Sequence, residues 1–134
     1  MEIGTPPPAW SSLGLVADRF GEGAVVEMEG TPGMRGGSGH LDPGFVSALA
    51  DSAMELAVDS ALGPRSRASI FDLKLSFVAP AEVGARLRAV ATVIHLGRRT
   101  AFAECRVEGT GGGVIATATG TFQVRAPVED PHAD

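Results

Sequence analysis

Ser47, Asp51, Glu55 and Asp59 recur at steps of four residues. On a helix that spacing puts all four on one stripe. Between Pro43 and Leu62 there is no Lys or Arg, so the three carboxylates repel without local compensation. Each like-charged pair costs roughly 0.2–0.5 kcal/mol. Such a stripe is either a solvated face or part of a cleft or interface. The missing cations and the small residues beside it favour the second.

The segment that starts this helix is a second candidate. Asp42-Pro43-Gly44 follows a glycine-rich stretch, which leaves backbone N–H groups unobstructed where the helix dipole points at them. An end of this kind polarises a carbonyl and holds a developing oxyanion, or it is an ordinary capped helix. If it acts on a carbonyl, a carboxylate further along must reach the same substrate. Asp51 is nine residues beyond Asp42, ~13 Å of helix axis at 1.5 Å per residue. A third candidate is Leu96-Gly97-Arg98-Arg99-Thr100, where adjacent arginines at a strand junction either fork onto phosphates or are plain turn charges. His40 is a loop histidine suited to donate or shuttle a proton. His95, on or beside a strand, and His132, in the tail, offer nothing comparable. Three scattered histidines and one cysteine give no metal-ligand spacing, and no Gly-x-Ser-x-Gly elbow or phosphate-loop lysine is present.

The elements that must position these groups follow from periodicity. Residues 1–12 read as a Pro-rich lead-in, 13–125 as one domain and 126–134 as a flexible tail. Residues 13–20 and 24–30 suggest two short strands with a tight connection through Gly21-Glu22-Gly23, and 31–42 a loop. Asp42 as N-cap, Pro43 at the first turn and Gly63-Pro64 at the end bound a helix over 43–62. Its apolar side is Phe45, Ala48, Leu49, Ala53, Leu56 and Ala57. From residue 70 the period changes to two, in runs 70–79, 86–93, 100–108 and 114–125, which predicts antiparallel strands with one buried face. Short joins at 80–84, 96–99 and 109–113 favour a meander of hairpins. One helix and about six strands leave an α+β arrangement, a curved antiparallel sheet wrapped around a central Ala- and Ser-rich helix.

The 134 residues suit a single domain with one core. A net charge of −5 argues against general nucleic-acid binding, which needs basic excess. No apolar run reaches the ~18 residues of a membrane span. The start Met1-Glu2-Ile3-Gly4 has no secretory pattern, so the cytoplasm is the expected location. Cys105, the one cysteine, alternates with charged residues and belongs on the apolar face.

These segments together resemble the hotdog-fold acyl-CoA thioesterases, in particular the PaaI-like and 4-hydroxybenzoyl-CoA thioesterase branches. The resemblance runs over roughly 13–125 and rests on Asp42-Pro43-Gly44 through Leu49-Ala50-Asp51, on Asp72 to Ala81, on Gly97-Arg98-Arg99-Thr100, and on Val114 to Phe122. It implies hydrolysis of a small or aromatic acyl-CoA, or else binding of an acyl ligand without turnover; a hydratase on the same fold is a weaker third possibility. It implies Asp51 as nucleophile or base, Gly44 N–H on the thioester oxygen, and Arg98 and Arg99, with Thr100, near the CoA phosphates. Phe45, Ser47, Met54, Glu55 and Phe77 are candidates to line the substrate site. No cofactor is expected beyond the CoA of the substrate. Sites between two subunits imply a homodimer, with a dimer of dimers as the expected larger assembly. The chain departs from the family's His-Gly-Gly helix start, since Asp42 stands at the His position and Pro43 at the first Gly, and His40 is the residue available to take over a lost role.

Overall fold

The computed structural model describes residues 7–20, 23–63 and 66–125. Helix α1 (Pro8–Leu13) comes first, where the sequence suggested only a lead-in. Proline's fixed φ suits a first helical turn, and Gly14 closes the helix in the left-handed region at φ 67°. Trp10, buried in the core, holds the helix down. Strand β1 (Val16–Phe20) therefore begins three residues later than expected and pairs antiparallel with β2 (Gly23–Glu29). The expected loop 31–42 contains one 3-10 turn, Pro32–Met34, and an isolated bridge between Arg35 and Leu41.

Helix α2 (Pro43–Leu62) has the bounds its capping residues predict. Four long strands follow: β3 (Arg67–Phe77), β4 (Arg86–Leu96), β5 (Thr100–Glu108) and β6 (Val114–Arg125). All pairs are antiparallel, in the order β1-β2-β4-β5-β6-β3. β4, β5 and β6 form the expected meander, but β3 does not join it through the 80–84 connection. β3 pairs with β6 at the far edge. The reason lies in residues 80–85, whose backbone is tied to other loops rather than folded back on β3. Leu41 N–H donates to Ala81 O, Gly84 N–H to Gly30 O, and Gly30 N–H to Ala85 O.

The sheet's inner face is mostly small: Ala24, Ala89, Ala91, Ala101, Ala103, Ala116 and Ala118 are all buried. Small side chains let the strands close around α2, whose Leu49, Ala50, Ala53, Met54, Leu56, Ala57 and Val58 fill the interior. At Gly120 the approach is tight, because an added Cβ would sit 3.2 Å from Met54 Cε. Fully burying a side chain of the size of Leu49 or Met54 stabilises by about 1.5–3 kcal/mol. Phe45 and Ala48, expected on the apolar side, are only half-buried at its margin. β3 is less covered than its neighbours. A bulge between Ile70 and Asp72 inserts Phe71, so Ile70 rather than Phe71 points inward, and Phe71 is exposed.

Candidate functional site

The acid stripe of α2 is turned toward β3. Asp59 Oδ1 accepts the Ala68 N–H of β3 at 3.2 Å, and Glu55 and Asp51 lie on the same side of the helix, about one and two turns earlier. Neither is in open solvent; both are half-buried. Asp51 Oδ1 is buried and has no hydrogen-bond partner among the described residues. Loss of water raises the Asp51 carboxyl above its usual range. Glu55 is pushed up to about 7, first by burial, then by the charges of Asp51 and Asp59. Of the two readings of the stripe, a fully solvated face does not match this environment.

Opposite the stripe runs the inner face of β3. Leu75 packs against the core, whereas Leu73 and Phe77 remain exposed. The half-buried Asp51 and Glu55 thus share a stripe whose far end, at Asp59, is bonded to β3, the strand at the open edge of the sheet. That juxtaposition suits a substrate with an apolar part and an electrophilic carbon.

The helix start is capped from within. Asp42 Oδ1 accepts the Gly44 N–H at 2.8 Å, and Phe45 N–H donates to Asp42 O at 3.0 Å. Gly44 N–H, the expected carbonyl donor, therefore already has a partner, which a substrate oxygen would have to displace. Ser47 Oγ donates back to Pro43 O at 3.0 Å. His40 Nδ1 stands 3.2 Å from Glu82 Oε1. The two atoms are close but not aligned as a hydrogen bond, and the nitrogen has no hydrogen-bond partner among the described residues. Glu82 had no signal in the sequence, because the loop that delivers it is held by the Leu41–Ala81 bond.

The remaining candidates lie elsewhere. Met54 is fully buried against Gly120 and belongs to the core, as does Val58. Arg98 and Arg99 are exposed in the β4–β5 turn, and Thr100 opens β5. Arg99 O accepts the Val124 N–H, and Val124 pairs with Ala68, beside the end of α2. The arginine turn and the helix start are thus at opposite ends of the sheet, separated by the ~30 Å length of α2. Within one protomer the structure does not bring them together. Cys105 is buried, and loss of water pushes its thiol up to about 12, so it stays a neutral apolar group.

Two hollows flank this region. A recess of about 400 Å³ lies near the helix start, lined by Pro80, Glu82, Thr110 and Ile115 among others. A larger groove of about 670 Å³ crosses the outside of the sheet, along Lys74, Ser76, Glu104, Arg106 and Thr119. The second is larger but lies on the face turned away from α2. No helix of the described residues is long and apolar enough to cross a membrane.

Comparison with known proteins agrees with this architecture. The family model described as Thioesterase superfamily matches residues 38–116, more than half of the chain. A solved structure of a variant of the phenylacetic acid degradation protein PaaI from Thermus thermophilus is 33% identical, with TM-score 0.79, and the match covers 87% of this chain and 98% of that one. A thioesterase from Haemophilus influenzae is 25% identical with TM-score 0.83, covering 92% and 87% respectively. The PaaI protein of the E. coli phenylacetic acid degradation operon, at 24% identity, TM-score 0.84 and coverage of 90% and 86%, is alike in fold. No curated protein sequence matches the chain. A six-stranded antiparallel sheet closed around one long helix, and the match across its centre, lead to one conclusion: this chain belongs to the thioesterase superfamily and is a hotdog-fold protein of the PaaI-like kind.

Proposed function

We propose that this protein hydrolyses an acyl-CoA thioester in the cytoplasm, with Asp51 as the group that activates the attacking water. The observation that carries the reading is the Asp51 carboxylate itself: half-buried and unpartnered at Oδ1 among the described residues, in a thioesterase-family chain. A carboxylate whose proton affinity is raised by burial is a better general base than one in water. Water oxygen bonds to the acyl carbon, Asp51 takes a proton from that water, the C–S bond breaks, and the thiolate leaves and is protonated. The developing oxyanion is met by the start of α2 once Gly44 N–H exchanges Asp42 for the substrate.

The rest of the site comes from a second copy. β3 ends the sheet with one side unpaired among the described residues, and Phe71, Leu73, Phe77 and Val78 are exposed on and beside it. An edge of this kind invites pairing with another chain. Edge-to-edge pairing in a homodimer would cover these residues and close the cleft beside Asp51. It would also let the partner's arginine turn approach the far end of the site, with Arg98 and Arg99 on the CoA phosphates. Phe45 and Phe77 then flank the acyl group, small or aromatic. A dimer of dimers is the larger assembly this reading expects.

A second reading is favoured by one bond. Because Asp42 Oδ1 occupies the Gly44 N–H at 2.8 Å, the protein would bind an acyl-CoA without turning it over if that cap never opens. A panel of short-chain and aryl acyl-CoAs, assayed for free thiol, separates the two. Thiol release at ordinary enzyme rates is the expected result. Calorimetric binding with no release by any member would establish the binding reading instead.

A further inference from the structure

We propose that the outer face of the sheet docks a second copy of this chain, across a twofold axis that crosses the strands over Cys105 and Ala118 and sets Glu104 against the partner's Arg106. This deepens the dimer-of-dimers reading above and rests on it for the way the assembly closes.

Successive residues of a strand point to opposite faces, so the register of the sheet lays this face out in rows. Lys74, Thr119, Glu104 and Thr92 form one row across β3, β6, β5 and β4. Ser76, Thr117, Arg106 and Val90 form the next. The row between them, Leu75, Ala118, Cys105 and Ala91, points inward to the core. The outward side chains are exposed except for the half-buried Val90, and together they line the groove of about 670 Å³.

The charges on this face complement each other. Glu104 has no ion-pair partner among the described residues. Arg106 Nε donates to Glu108 Oε2 at 2.8 Å, which fixes the guanidinium, and its terminal nitrogens can fork onto a further carboxylate. Lys74 and Arg106 balance Glu104 and Glu108, although the chain as a whole carries −5. A balanced face meets its own copy without the repulsion that the net charge imposes elsewhere.

Geometry then selects the axis. Stacked sheets lie about 10 Å apart with their strands within roughly 30° of each other, so the axis fixes which side chains meet. A twofold along β5 would set Glu104 on the partner's Glu104 and Arg106 on the partner's Arg106, and like charges so placed oppose docking. A twofold along β6 would set Lys74 over the partner's Glu104. That axis runs beside the β3 edge without meeting it, and two axes that miss each other build an open fibre. The axis across the strands reaches the β3 edge at Leu75, where it can cross the axis of the edge pair at a right angle and close the assembly at four chains. Leu73 and Phe77, both exposed, flank that point evenly. This axis exchanges the two rows. Glu104 meets the partner's Arg106, Lys74 the partner's Ser76, and Thr119 the partner's Thr117.

Light scattering on the full-length protein tests the contact by charge exchange. The wild type should reach the mass of four chains. Glu104→Arg sets two arginines face to face and should stop at two, the dissociation constant of the face contact rising at least about tenfold. Arg106→Glu should do the same from the other side. Both substitutions in one chain should restore the wild-type mass, a result that a misfolded single variant cannot imitate. The proposal is overturned if both single variants keep the wild-type mass, or if the exchange does not restore it. Restoration by Lys74→Glu with Glu104→Lys, and not by the Arg106 exchange, would overturn it in favour of the axis along β6. Failure of the edge pair looks different: the wild type would stop at two chains and Glu104→Arg would be monomeric, the face contact standing alone. None of these masses depends on thiol release, so the hydrolysis reading is tested separately.

Discussion

Asp51 and Glu55 are carboxyls whose proton affinity is higher in the folded chain than in water, and that has a consequence for stability apart from any catalysis. Between the unfolded value of Glu55, 4.5, and its folded value of about 7, the native state binds more protons than the unfolded one. Stability is fully present below the first value and is lost as pH rises through the second. Thermal unfolding of the wild type should therefore give a lower Tm at pH 8 than at pH 5.5. Glu55→Gln should flatten that difference, by about 1 kcal/mol after discounting for solvent screening, or roughly 3–5 °C. A Tm difference equally large in the variant would show that Glu55 ionises freely. At this scale the acid stripe was legible, because a four-residue interval is a helical turn and the lack of cations is visible in the letters. Two other contacts were not. The Asp42–Gly44 bond depends on a rotamer, and the meeting of His40 with Glu82 depends on a loop 42 residues further along the chain.

Among the elements, α2 was the easiest to read, since Asp42, Pro43 and Gly63 punctuate it and nothing in the tertiary structure overrides them. α1 was hidden by its prolines, which look like a linker until Trp10 is seen in the core. The place of β3 was unreadable for a different reason: its alternation announces a strand, but pairing with β6 is decided by backbone bonds of residues 80–85 to Gly30 and Leu41. The helix start gives a prediction that separates capping from chemistry. Asp42→Ala removes the acceptor of the Gly44 N–H and should cost about 1 kcal/mol of stability. It should also raise kcat/KM toward a thioester, because the donor is then open to substrate. Chemical denaturation and steady-state kinetics on the same sample check both halves; a variant that loses stability and activity together would assign Asp42 a direct part in the reaction.

For the molecule as a whole, the proposed dimer rests on the open edge that leaves Leu73 and Phe77 uncovered. Phe71→Asp, at the bulge of β3, places a charge on that edge without touching α2. Light scattering should find the wild type as a dimer or dimer of dimers and this variant shifted toward monomer, with thiol release lost in proportion. A monomeric wild type with full activity would confine the site to one chain. The most direct test of the account is the turnover number of Asp51→Asn on an acyl-CoA that the wild type hydrolyses. A fall of about 10²-fold or more, with Tm unchanged or raised because a buried, unpartnered charge has been removed, is the predicted result. Turnover within a factor of about two of the wild type would contradict the assignment of this carboxylate as the base.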